Sequence, residues 1–143
     1  PYFETVFPLL ENILNQKEKN LAKFLGYLLE NISIYLEIDT EFIYSSGIEK
    51  DNNLKSQNKI IDIAKTLNAT NYINAIGAQE LYDKEKFKHE NIELNFIKTE
   101  LMEYKQFKNE FIPYLSIIDI MMFNSIDNIK FMLNQYKLIR KEK

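Results

Sequence analysis

Between Leu21 and Ile97 the chain alternates stretches of helical spacing with short β-branched runs, and only residues 48–58 make a long gap. Residues 21–36 carry one continuous apolar stripe, Leu21, Phe24, Leu25, Leu28, Leu29, Ile32, Tyr35 and Leu36, with Asn20 ahead of it as a cap. Glu41-Phe-Ile-Tyr-Ser45 is short, β-branched and aromatic, ends at Ser46-Gly47, and reads as a strand. Residues 59–67 return to helical spacing through Ile60, Ile61, Ile63, Ala64 and Leu67; Asn68 follows, a residue suited to a left-handed helix end. A second strand, Thr70-Asn-Tyr-Ile-Asn74, starts two residues later. A short helix over residues 81–88 leads to a third, Ile92-Glu-Leu-Asn-Phe-Ile97. Helix and strand in turn, with short connections, predict an α/β fold. The expected form is three-layer-like, a small mainly parallel sheet (strands near 41–45, 70–74 and 92–97) flanked by helices. The stripes of residues 21–36 and 59–67 should pack on that sheet.

The flanking segments are helical. Phe3, Val6, Phe7, Leu10, Ile13 and Leu14 have helical spacing, with Pro8 tolerable only if that helix starts close to it. Residues 48–58 are polar and read as a surface loop. Residues 99–111 suit a loose helix that Pro113 limits. Ser116-Ile-Ile-Asp119 has capping-box spacing, flanked by Leu115 and Ile120 as a hydrophobic staple, and Ser125-Ile-Asp-Asn128 opens another helix. The basic tail from Lys137 to Lys143 reads as a solvated helix end.

With 143 residues the chain suits one domain (residues 1–143) with a real core, and 45% hydrophobic against 27% charged residues is a globular balance. No apolar run nears the ~20 residues of a membrane-spanning helix. The absence of cysteine rules out disulfides and thiolate sites and makes a reducing cytoplasm the default location. A net charge of −3 gives no general attraction to nucleic acid.

Named catalytic motifs are missing: no P-loop, no GxGxxG after a strand, no GxSxG and no His/Cys cluster, so the residues specify neither a metal nor a cofactor. His89, the only histidine, lies in the charged run from Asp83 to Glu90 and reads as a surface residue, which leaves triad chemistry without a base. Three groups remain. Asn71, Tyr72 and Asn74, with Gln79, Glu80 and Tyr82, offer amides and phenols to orient a sugar or nucleotide, and Glu80 as a general base. Alternatively, Asn74 closes an Asx turn, Gln79 and Glu80 start a helix and Tyr82 packs. Ser116 and Asp119 are candidate ligand contacts that helix capping would equally explain. Tyr44, Ser45 and Ser46, with Gly47, are either a binding turn or a plain strand-to-loop turn. Met121 and Met122 read as core. If strands 41–45 and 70–74 are adjacent and parallel, Asn74 and a tight, positive-φ turn at Gly77 face Ser46 and Gly47 across a cleft.

The run Asn71-Tyr-Ile-Asn-Ala-Ile-Gly-Ala-Gln-Glu-Leu-Tyr82, then Phe87, Ile92-Glu-Leu-Asn-Phe-Ile97, Tyr104, Phe111-Ile-Pro113, Leu115-Ser-Ile-Ile-Asp119 and Asn124, resembles the WbqC-like family. Tyr2-Phe3 through Leu36 and Thr40-Glu-Phe-Ile43 are similar to the middle of those proteins. Gly77-Ala78 replaces the family's usual glycine pair. The chain begins at Pro1 without the family's usual amino-terminal half, so the resemblance implies a carboxyl-terminal portion with an uncovered apolar face and either self-association or a low unfolding temperature. It also implies bacterial surface-polysaccharide (O-antigen-type) biosynthesis, with transfer of an aminoacyl group to an amino sugar on a nucleotide or lipid carrier. The competing expectation is a non-catalytic ligand-binding or scaffold domain in the same pathway. A helical partner-binding protein becomes the better reading only if residues 70–74 and 92–97 are not strands.

Overall fold

In a computed structural model, which describes residues 1–108 and 110–140, six α-helices and three strands follow one another along the described chain. The helices are α1 (Phe3–Leu14), α2 (Leu21–Tyr35), α3 (Ser56–Thr66), α4 (Lys84–His89), α5 (Ile117–Phe123) and α6 (Ile126–Leu133). The strands are β1 (Asn71–Ala75), β2 (Glu93–Thr99) and β3 (Tyr136–Arg140). These elements form two compact units, one of Pro1–Phe42 with Leu101–Gln135, the other of Ile43–Glu100 with Tyr136–Lys143.

The first unit is helical. Its core is Val6 and Ile13 of α1, Ile32 and Leu36 at the end of α2, Met121 of α5 and Ile129 of α6. The cap expected at Asn20 forms, its side chain accepting the Lys23 N–H at 3.1 Å. The Ser125 hydroxyl takes the Asn128 N–H at 3.2 Å at the start of α6. Three expectations change in this unit. Pro8 lies well inside α1, where its missing N–H removes one rung of the helix ladder. The stripe of α2 packs with the helical core rather than on a sheet, and Leu21, Leu25 and Leu29 remain substantially exposed. Residues 101–108, expected as part of a loose helix, form none; side-chain bonds described below hold them instead.

The second unit is built on a three-stranded sheet of order β1-β2-β3. Strand β1 runs parallel to β2, with Asn71 opposite Glu93, and β3 runs antiparallel to β2, with Phe96 opposite Ile139. Tyr72, Leu94 and Phe96 share one face, where they pack with Ile61 and Ala64 of α3 and Phe87 of α4. As expected, Asn68 ends the third helical stretch in the left-handed region, at φ 52°. On the other face Ile73 and Leu138 are about half exposed, while Asn95, opposite Ile73 on β2, is buried.

The sheet is mixed, not mainly parallel, and one strand differs from expectation. Residues 41–44 are not a strand, and Ser45–Gly47 is a 3-10 turn closed by the Gly47 N–H on the Tyr44 carbonyl. Ile43 and Tyr44 are 50% and 42% exposed, so this run buries no face, and β propensity acts mainly through burial. The tail supplies the third strand instead of a helix end. Its charges find partners on and beside β2: Lys137 with Glu100 at 2.6 Å and Arg140 with Glu93 at 2.5 Å. An open edge on β2 needs such a partner. The last three residues of that tail, 141–143, lie outside the described residues.

Candidate functional site

Alternation along β1 puts Tyr72 and Asn74 on the same face, because side chains two apart in a strand project together. After β1 the chain makes a 3-10 segment, Ile76–Leu81, and comes back extended at Tyr82. That return sets the Tyr82 ring over the sheet's apolar face, 5.5 Å from the Tyr72 ring and 5.8 Å, edge-on, from Phe87. Tyr72 itself stacks on Phe87 at 5.4 Å. The rings are fixed by packing, and their hydroxyls meet.

The result is a closed triangle. The Tyr72 and Tyr82 hydroxyls are 3.1 Å apart, and the Asn74 side-chain amide donates to both at 3.0 Å. The amide oxygen of Asn74 accepts the Ala75 N–H at 2.7 Å. Burial, reinforced by the Tyr82 hydroxyl, pushes the Tyr72 phenol up to about 12. It therefore stays protonated at neutral pH, as a hydrogen-bonding group and not a phenolate base.

Beside the triangle lies a pocket of about 550 Å³, lined by Ser45, Lys50, Gln57, Lys59, Ile63 and Tyr82 among others. Residues 48–58, read as a polar surface loop, form part of its wall and are fastened to α3. The Asp51 N–H donates to Asp62 at 2.7 Å, Lys59 to the Asn52 carbonyl at 3.2 Å, and the Thr66 hydroxyl to the Glu49 carbonyl at 3.1 Å. The Lys50 ammonium bonds the carbonyls of Ser45 and Ile48. Gln57 accepts the Asp83 N–H at 2.8 Å, tying α3 to the start of α4. Helical periodicity finds α3 but gives no sign that the polar residues before it form a wall.

Tyr72, Asn74 and Tyr82 thus come together. Glu80 and Gly77 are exposed on the 3-10 segment, and Ser46 is exposed in the Ser45–Gly47 turn. Gly77 does not take the expected left-handed turn. Its φ is not positive, and a side chain added there would meet no atom within 4 Å. Gly47 is equally unconstrained. His89 is exposed on α4, 3.5 Å from Glu90.

Ser116 and Asp119 belong to the helical unit. The Ser116 hydroxyl caps α5 by accepting the Ile118 N–H at 3.2 Å. Asp119 does not complete a capping box; it takes the Tyr104 hydroxyl at 2.6 Å and the Gln106 amide at 3.0 Å on one oxygen. Burial and this carboxylate raise the Tyr104 phenol above its ordinary range. Gln106, only 7% exposed, also accepts the Ile112 N–H at 2.7 Å, which closes the irregular segment on itself. Nothing in the spacing of residues 101–119 announces that Gln106 is its centre.

The model of the WbqC-like protein family matches residues 1–131 of the chain. The chain belongs to the WbqC-like protein family. Neither a curated protein nor a solved structure matches this WbqC-like chain. The phenol–amide triangle and its pocket both lie within the matched residues. Among the described residues, no group of three or more His, Cys, Asp or Glu could hold a metal ion, and no helix is long and apolar enough to cross a membrane.

Proposed function

We propose that this WbqC-like chain works in bacterial surface-polysaccharide biosynthesis by holding the sugar of a nucleotide-linked or lipid-linked precursor against Tyr82. Family membership supports the pathway. The observation that carries the ligand is the Tyr72–Asn74–Tyr82 triangle beside a pocket of mixed polar and apolar lining. A sugar ring presents hydroxyls at its edge and C–H groups on its faces. Ser45 and Gln57 match the first, Ile60 and Ile63 the second. Asn74 spends its amide inside the triangle, so it positions the phenols, and Tyr82 makes the contact. Ser46, one residue from the lining, is a further contact in this reading.

Holding is favoured over catalysis because no Asp or Glu is among the buried polar residues described, Asn95, Gln106 and Asn124. An acid or base tuned by burial is the usual mark of a catalytic site. The transferase reading rests on Glu80, which leads directly into Leu81 and Tyr82 of the pocket wall. There it would take the proton from the amine of an amino sugar as that amine attacks the activated acyl carbon of an aminoacyl donor and the donor's carrier leaves. Both readings are cytoplasmic, where nucleotide-linked sugars are available.

Calorimetry with nucleotide-linked amino sugars, and with the matching nucleoside diphosphates, tests the proposal. The sugar-bearing compounds should bind, and Tyr82→Phe should weaken them about tenfold, the scale of one lost hydrogen bond to a polar ligand. Failure of the sugar-bearing compounds to bind, or binding indifferent to Tyr82→Phe, would sink it. Glu80→Gln separates the readings: transfer lost with binding retained establishes catalysis.

A further inference from the structure

The sheet unit has a second pocket, of about 500 Å³, away from the phenol–amide triangle. Its lining includes Lys84 and Lys88 on α4, Arg140 at the end of β3, and Ile92, Glu93 and Leu94 where β2 begins. The triangle lies towards the carboxyl end of β1, and β2 runs parallel to β1, so the two pockets occupy opposite edges of the sheet. Lys84 and Lys88 are four apart, one above the other on a single helix face. Arg140 is held by Glu93 at 2.5 Å, which orients its guanidinium at the rim. Three cations against one carboxylate leave this pocket positive in a chain of net charge −3.

We propose that this pocket binds a phosphate dianion or diphosphate group. Two lysines and an arginine line the pocket, and a doubly charged anion balances the excess of two positive charges. Arginine matches a phosphate edge with paired N–H groups, while lysines supply mobile point charges. A monocarboxylate would leave one of the two excess charges unmet. The site is independent of the sugar reading, shares no residue with it, and needs no base or nucleophile.

Inorganic pyrophosphate is the probe. Titrated calorimetrically into the whole chain, it should bind, with Lys84→Gln and Lys88→Gln each weakening it about tenfold, as expected for loss of a charged hydrogen bond. Lys23→Gln, an exposed lysine of the helical unit, is the control and should change nothing. The same phosphate chemistry can come from a soluble metabolite or a lipid headgroup. Flotation with vesicles of phosphatidylcholine, with and without phosphatidic acid, separates them. Recruitment by phosphatidic acid that pyrophosphate reverses identifies a lipid phosphate; pyrophosphate binding without recruitment identifies a soluble one. No pyrophosphate binding, or weakening by Lys23→Gln equal to that by Lys84→Gln, overturns the proposal. Because pyrophosphate carries no sugar, this result and the fate of Tyr82→Phe can fail separately.

Discussion

At the scale of single residues, the Tyr72–Asn74–Tyr82 triangle makes a titration that can be read directly. Tyr72 is raised by burial first and by Tyr82 second, so Tyr82→Phe should bring its titration down from about 12 towards 10, followed by phenolate absorbance. Because the folded value lies above the unfolded one, this group supports the fold fully below about pH 10. That support fades as the pH rises from there to about 12, and urea midpoints across this window should fall more steeply in the native chain than in Tyr82→Phe. In the helical unit, Asp119→Ala removes the acceptor shared by Tyr104 and Gln106. A loss of about 1–3 kcal/mol in urea unfolding is expected, the range for stranding a buried polar group; a change below about 0.5 kcal/mol would deny Asp119 its role. The sequence marked Asp119, Tyr72 and Tyr82 as chemically able but was silent on their partners. Polar partners such as Gln106 follow no period, and only the folded backbone brings them within reach.

Among the described α-helices, α4 is the shortest and the most consequential for the site. Its six residues put Phe87, fully buried, under both phenolic rings. Phe87→Ala should cost about 3–5 kcal/mol and loosen Tyr72 and Tyr82 together, which chemical denaturation and the Tyr72 titration would both register. Gly77→Ala, by contrast, should lie within about 0.5 kcal/mol of the parent, since its φ is ordinary and no atom crowds the added methyl. Helix periods and strand alternation were legible for α2, α3, β1 and β2, because each buries a regular face. The run at 41–45 shows the limit of that logic. It has strand composition, yet nothing covers it, while the highly charged tail becomes β3 because β2 has an edge to fill and carboxylates to meet its cations. Composition describes a segment; a neighbour's vacancy is invisible in it.

For the whole molecule, exposed apolar side chains are the main fact. Tyr114, Ile34, Phe107, Leu21 and Leu81 are each about 70% exposed or more. Exposed apolar side chains gain from being covered, so the chain is expected to self-associate, with light scattering giving a mass that rises with concentration. A constant monomer mass over a hundredfold dilution would refute it. The two units are interleaved: residues 43–100 separate the two segments of the helical unit, and residues 101–135 separate the two segments of the sheet unit. For a chain emerging from the ribosome this sets an order of events. The strands β1 and β2 can pair as soon as residue 99 is out, but β2 must wait with one edge bare while the rest of the helical unit is made. Only then does β3 arrive to cover Phe96 and Ile97 from the side. During that interval the nascent sheet edge is open to any other strand, and holding it safe is a task for a chaperone or for speed of translation through residues 100–140.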